Sequence, residues 1–216
     1  MRCLYCHNPD TWQIGAGKKV EADELIAEYE KNRSFYRKGG ITVTGGEPLL
    51  QIEFVTELFE KAKSVGIHTC IDTSGIVFNP EKTEAMDRLM RSTDLVMLDI
   101  KHIDADRHRA LTGHDNRNIL AFAKYLEQLS IPLWVRHIVV EGYTDAPEWL
   151  VKLGQFLGTL SNLKALDVLP YHTMGVNKYR ELGIPYPLDG LSALPVTEAV
   201  KAKELILQGI RQTRHN

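Results

Sequence analysis

The sequence predicts an α/β fold built on a parallel sheet, and two features carry that prediction. Five short apolar or β-branched segments alternate with segments whose apolar residues recur every three to four positions, a succession that requires right-handed crossovers between parallel strands. Most of these strand-like segments run straight into ionisable residues, which puts Glu47, Asp72, Asp99, Lys101 and His172 just past strand carboxyl ends, the rim where such folds gather ligand groups. Periodicity alone leaves open whether the sheet is flat or curled. Five strands in this length exclude a complete eight-stranded barrel.

The elements follow in order. Asn8 to Lys19 holds Pro, Gly and polar residues without a period and reads as a loop. A helix is expected from Val20 to about Arg37, with Leu25, Ile26 and Tyr29 on one face, stopped by Gly39-Gly40. Ile41–Thr44 is a β-branched strand entering Gly45-Gly-Glu-Pro48, and a helix with Phe54, Val55, Leu58, Phe59 and Ala62 inward runs from about Gln51 to Gly66. Strand Ile67–Ile71 then precedes Asp72-Thr-Ser-Gly75 and a helix from about Glu81 to Arg91; strand Leu95–Leu98 precedes Asp99-Ile-Lys101 and a helix over Ile119 to Leu129. Strand Leu133–Val140 is followed by a helix over Pro147 to Leu157. Strand Ala165–Leu169 leads to Pro170-Tyr-His172, a Gly/Pro-rich loop and a last helix, Val196 to Ile210.

Composition narrows the functional classes. The chain of 216 residues suffices for one domain with a sizeable core, residues 1–216. A formal charge of -2 and no basic run argue against nucleic acid or anionic lipid as partner. No stretch of about 18 apolar residues is present to cross a bilayer, and no basic segment with an apolar core opens the chain, so a cytoplasmic protein is expected. Three cysteines, an odd and small set, argue for thiol or ligand chemistry in a reduced compartment rather than for a disulfide framework. Cys70, inside an alternating β-branched segment, reads as a buried apolar strand residue.

The chemistry-bearing residues form a series. Cys3-Leu-Tyr-Cys6 gives two soft sulfur ligands from one turn, enough for part of a metal or cluster site. Gly45-Gly-Glu-Pro48 lets a ligand approach the backbone while Glu47 offers an acceptor to an ammonium group; a tight strand-to-helix turn would need the same glycines. Asp72, Asp99 and Lys101 set two carboxylates and one ammonium on neighbouring strand ends, able to hold a cation or a zwitterion, or to form a structural ion pair. A zinc site on Cys3, Cys6 and His7, completed between two chains, is a further reading, though it leaves the strand-end residues without a role.

Taken in order and spacing, Cys3-Leu-Tyr-Cys6-His7-Asn8, Gly45-Gly-Glu-Pro48, Asp72-Thr-Ser-Gly75, Asp99-Ile-Lys101 and Leu169-Pro-Tyr-His172 resemble the pyruvate formate-lyase activating enzymes of the radical SAM superfamily, over nearly the whole chain. The resemblance implies a parallel partial (β/α) barrel that binds S-adenosylmethionine against a [4Fe-4S] cluster. It also implies reductive cleavage of that cofactor under anaerobic conditions, and hydrogen abstraction from a glycine of a partner enzyme, pyruvate formate-lyase, by the 5′-deoxyadenosyl radical. Residue by residue, it makes Cys3 and Cys6 the second and third cluster ligands and Gly45, Gly46 and Glu47 the receivers of the methionine amino group. Asp72, Thr73, Asp99 and the Met97 carbonyl become a monovalent-cation site, and Ile100, Lys101, His172, Tyr5 and His7 further cofactor contacts.

The resemblance also places the first cluster cysteine two residues ahead of Met1, together with a first strand. The chain is therefore expected to be N-terminally truncated relative to the family and to hold a cluster weakly as it stands. A degenerate member that binds cofactor or partner without catalysis, or an activase of another glycyl-radical enzyme, is the alternative. The segment Asn8–Thr44 contains no cysteine, which favours the compact pyruvate formate-lyase type over relatives with a ferredoxin-like insert. A monomer reduced by a carrier such as flavodoxin completes the expectation.

Overall fold

The computed structural model describes residues 1–13, 15, 17–36 and 39–215. Strands β1 (Gly40–Val43), β2 (His68–Thr73), β3 (Leu95–Asp99), β4 (Leu133–Val139) and β5 (Leu163–Pro170) lie in chain order in one sheet, and every neighbouring pair is parallel. β1 and β5 form its two edges, so the sheet is an incomplete barrel.

The helices are α1 (Ala22–Lys31), α2 (Ile52–Ser64), α3 (Glu84–Met90), α4 (Ala105–Thr112), α5 (Arg117–Gln128), α6 (Pro147–Gly158), α7 (Val176–Glu181) and α8 (Val196–Arg214). No helix among the described residues is long and apolar enough to cross a membrane.

Strand pleating sorts the side chains. Ile71, Val96, Leu98 and Val135 are wholly buried in the same apolar core as Leu58 and Phe59 of α2, Leu89 of α3 and Phe122 and Leu126 of α5. Each such side chain contributes about 1.5–3 kcal/mol of burial. The opposite face follows from register: Asp72 pairs with Met97 and Asp99 with Arg136, so Asp72, Asp99 and Arg136 project to one side of the sheet. α6 and α8 meet at Gly154 and Gly209, where an added Cβ would collide with the carbonyl of Ile206 or Val151.

Several boundaries differ from those expected. α1 stops at Lys31 because Asn32 turns its side chain back to the Glu28 carbonyl and a 3₁₀ turn follows, Arg33–Phe35; Arg37 lies outside the described residues. α3 starts at Glu84 rather than Glu81, since Asn79 Oδ1 accepts the Glu81 amide and holds that segment in a turn. Pro9–Trp12, expected as loop, forms a 3₁₀ turn. α4 and α7 were not expected at all. The apolar period of α4 is hidden because His108 and Thr112 fill buried positions beside Leu111, although Asp104 as N-cap and Gly113 as left-handed C-cap were visible signals.

Candidate active site

A cavity of about 880 Å³ opens at the carboxyl end of the sheet. It is the right size for a cofactor-sized molecule. The loop before α1 supplies Cys3, Tyr5, Cys6 and His7 to its wall, the β1 end supplies Gly45, Gly46 and Glu47, Asp72, Thr73, Asp99, Lys101 and His172 come from the following strand ends, and Arg136 from the middle of β4. The residues singled out in the sequence therefore share one cavity, with two exceptions. Ile100 is wholly buried in the core, and Met97 sits within β3; neither lines it.

The Cys6 amide donates to the Cys3 carbonyl (3.0 Å), a turn that puts both thiols on the cavity. Burial pushes the Cys3 thiol up, against the opposing pull of Lys101. Cys70 is buried in β2 on the same face as Asp72 but two residues deeper, and does not line the cavity. The His7 ring meets His172 edge-on at 4.9 Å, and desolvation followed by the His172 and Lys178 charges lowers its pKa. Among the described residues no three or more His, Cys, Asp or Glu gather in a geometry able to hold a metal ion. Among the described residues the buried Tyr5 hydroxyl has no partner, and Lys101 lies 5.8 Å from the centre of its ring.

Glu47 is held by its neighbours. Its Oε1 accepts the Leu49 amide (3.2 Å) and the Thr73 hydroxyl, and its Oε2 accepts the amide (3.1 Å) and hydroxyl of Ser74. These four donors match the acceptor capacity of a carboxylate, so Glu47 staples the β1 loop to the β2 loop.

Asp72 and Asp99 share a guanidinium that sequence reading passed over. Arg136 donates through Nη2 to Asp72 (2.7 Å) and through Nε to Asp99 (2.6 Å), and Lys101 Nζ reaches the second Asp99 oxygen at 2.6 Å. Burial alone would raise the Asp99 carboxyl, but Lys101 and Arg136 hold it below the usual range. Burial likewise opposes the charge on Lys101, and the Asp99 carboxylate outweighs it, leaving the ammonium above the ordinary lysine range. Thr73 points away from Asp72 because successive strand residues face opposite sides, and its hydroxyl serves Glu47. The expected cation ligands are thus not gathered around a space of their own: Arg136 already lies between the two carboxylates. An arginine in the middle of the apolar run Leu133–Val139 was the available signal.

An incomplete parallel barrel with two cysteines in a loop over its carboxyl rim marks a class, and comparison with known proteins agrees. The Radical SAM superfamily pattern matches residues 1–154, so this is a radical SAM superfamily enzyme. Among solved structures, a domain of pyruvate-formate lyase-activating enzyme from Bacteroides vulgatus superposes with a TM-score of 0.64 at 23% identity, covering 79% of this chain and 94% of that one. SuiB of Streptococcus suis bound to precursor peptide SuiA gives 0.69 at 14% identity, over 98% of this chain and 43% of that one. At such identities these two show the fold alone.

Sequence relatives are nearer. The protein named pyruvate formate-lyase-activating enzyme in Listeria monocytogenes is 48% identical over 212 residues, 96% of this chain and 85% of the relative. Its namesake in Streptococcus mutans is 47% identical over 211 residues, 95% of this chain and 80% of the relative. The chain belongs to the pyruvate formate-lyase-activating enzyme family.

Proposed function

We propose that residues 1–216 act as one radical SAM domain that activates pyruvate formate-lyase, using S-adenosylmethionine and a [4Fe-4S] cluster. The observation that carries this reading is the cavity itself, where two thiols share a wall with three carboxylates and three cations. S-adenosylmethionine carries a sulfonium, an ammonium and a carboxylate, and the wall offers groups of both signs to meet them, Glu47, Asp72 and Asp99 against Arg2, Lys101 and Arg136.

Cys3 and Cys6 would give the cluster two thiolates, and a third is not found among the described residues, since Cys70 lies in β2. With Glu47 saturated by its own neighbours, the ammonium is assigned to the carbonyl groups of Gly45 and Gly46, the two residues before it. Arg136 and Lys101 are the positive groups for the methionine carboxylate, and a monovalent cation at Asp72, Thr73, Met97 and Asp99 would have to displace Arg136. Tyr5, His7 and His172, with Lys101 and the Ile100 backbone, are assigned to the rest of the cofactor.

When bound, cluster and cofactor together supply a one-electron cleavage of a carbon–sulfur bond and a carbon radical able to take hydrogen from a glycine Cα. The protein's residues bind, orient and balance charge. A one-electron donor such as flavodoxin completes the reaction. The test is anaerobic reconstitution with iron and sulfide, then incubation with reductant, S-adenosylmethionine and pyruvate formate-lyase. With the cluster held weakly by two thiolates, a glycyl-radical resonance on the partner together with 5′-deoxyadenosine is expected at well below one per chain. Cofactor binding without either product would replace this reading with a non-catalytic one.

A further inference from the structure

A cluster ligand at Cys3 must be held in one orientation, and the hydrogen bonds on either side of it come from α4. The last carbonyl groups of an α-helix have no partner within it. In α4 two of them are taken by the cysteine loop: Leu111 accepts the amide of Leu4 at 3.0 Å and Thr112 that of Arg2 at 3.2 Å, the residues on either side of Cys3. The helix end thus grips the chain on both sides of a candidate ligand.

What aims those carbonyls is a buried histidine. His108 is wholly buried and lies outside the cavity lining. Its Nδ1–H donates to the His114 carbonyl at 2.6 Å, closing the turn in which Gly113 adopts φ 85°. The Thr112 hydroxyl lies 2.8 Å from the His108 carbonyl and 3.1 Å from that of His114, tying the same turn a second time.

The other end of α4 is anchored beside Lys101. Asp104 accepts the amides of Asp106 and Arg107, the His102 ring accepts the Asp104 amide at 2.9 Å, and Asn116 donates to the carbonyls of His102 and Ile103. α4 is therefore a strut between the strand end that carries Asp99 and Lys101 and the loop that carries Cys3.

We propose that His108 is a positioning residue for Cys3: by locking the C-terminal turn of α4 it holds the cysteine loop in its cavity-facing form before any cluster is bound. This rests on the reading of Cys3 as a cluster ligand, but the hydrogen-bonding part can be measured without a cluster.

The test compares His108→Leu, which removes the donor, with His108→Asn, whose amide can set an N–H where Nδ1 stands. Amide hydrogen exchange is read residue by residue on cluster-free protein. In His108→Leu the Leu4 amide should exchange roughly tenfold faster while amides of β3 stay as they are, and His108→Asn should recover most of the protection. After anaerobic reconstitution, iron content and the cluster's visible spectrum should follow the same order.

Gly113→Ala keeps the test open if His108→Leu fails to fold. An added Cβ there meets nothing within 4 Å, so the left-handed backbone is the only source of strain, and Leu4 should again lose protection. Unchanged Leu4 exchange in these variants, or acceleration spread equally through β3, overturns the proposal. A wild-type chain that takes up no iron while Leu4 still responds would overturn the cluster reading and leave the strut standing.

Discussion

The cysteine loop and the row of strand ends line the same cavity but are held there by different means. The strand ends are placed by sheet register and then locked to one another: Glu47 to Thr73 and Ser74, Asp72 to Arg136, and Asp99 to both Arg136 and Lys101. The cysteine loop joins no strand. Its grips come from outside the sheet, from the α4 carbonyls on one side and on the other from Lys178, whose Nζ reaches Asn8 at 2.7 Å and Asp10 at 3.1 Å, and from Gly175 packed on the backbone of Cys6 and His7. The charged groups are thus built into the part of the molecule that sheet register fixes, and the two candidate ligand thiols into a part that two separate clamps hold.

Substitutions can set the two regions apart. The largest effect is expected from Cys6→Ala, which removes a thiol without disturbing the rim: iron uptake and radical formation should be lost while the melting temperature of cluster-free protein stays near wild type. Unfolding of that variant would show that the loop supports the core, against the contrast drawn above.

Arg136→Gln should act on the rim instead. It leaves two largely buried carboxylates without their shared cation, at a cost of about 2–4 kcal/mol after allowing for partial exposure, and should weaken S-adenosylmethionine binding in calorimetry. Arg136→Lys should recover part of the stability but not the two-sided geometry. Binding and stability equal to wild type in Arg136→Gln would remove the arginine from the site.

Acid should reach the α4 region through its buried histidines. Desolvation, then the neighbouring His137, lowers His102 to about 4, and burial lowers His108 and His137 as well. The unfolded chain therefore binds more protons than the folded one between about pH 6.5 and 4, so this part of the stability is complete above pH 6.5 and declines as pH falls through that window. His102→Gln should flatten the slope of melting temperature against pH there; an unchanged slope would assign the effect to other groups. Asp99, whose folded pKa is depressed, adds stability that is lost only below about pH 4.

The smallest effect is expected at the second clamp. Lys178→Met breaks a half-exposed contact worth less than about 1 kcal/mol, so it should loosen amide exchange around Asn8 and Asp10 and leave global stability almost unchanged.

Much of this was legible in the chain. The five parallel strands and the cavity positions of Glu47, Asp72, Asp99, Lys101 and His172 were readable because strand periodicity and the polar residues that end each apolar run are local signals. Cys70 was readable as a strand residue for the same reason. Arg136 was missed because its role comes from register with β3 and from a carboxylate two strands away, and α4 because polar side chains fill part of its buried face.

Sequence by itself determined the alternation of strands and helices, the Cys3/Cys6 spacing and the polar residues at each strand end, all set by side-chain chemistry within a few residues. Only the tertiary structure decided who partners whom. Glu47 spends its oxygens on Thr73 and Ser74, Arg136 bridges Asp72 and Asp99, and α4 lends its last carbonyls to the residues flanking Cys3. The physical reason is that a buried donor or acceptor finds its partner wherever the fold supplies one, and those partners lie 26 to 110 positions away along the chain.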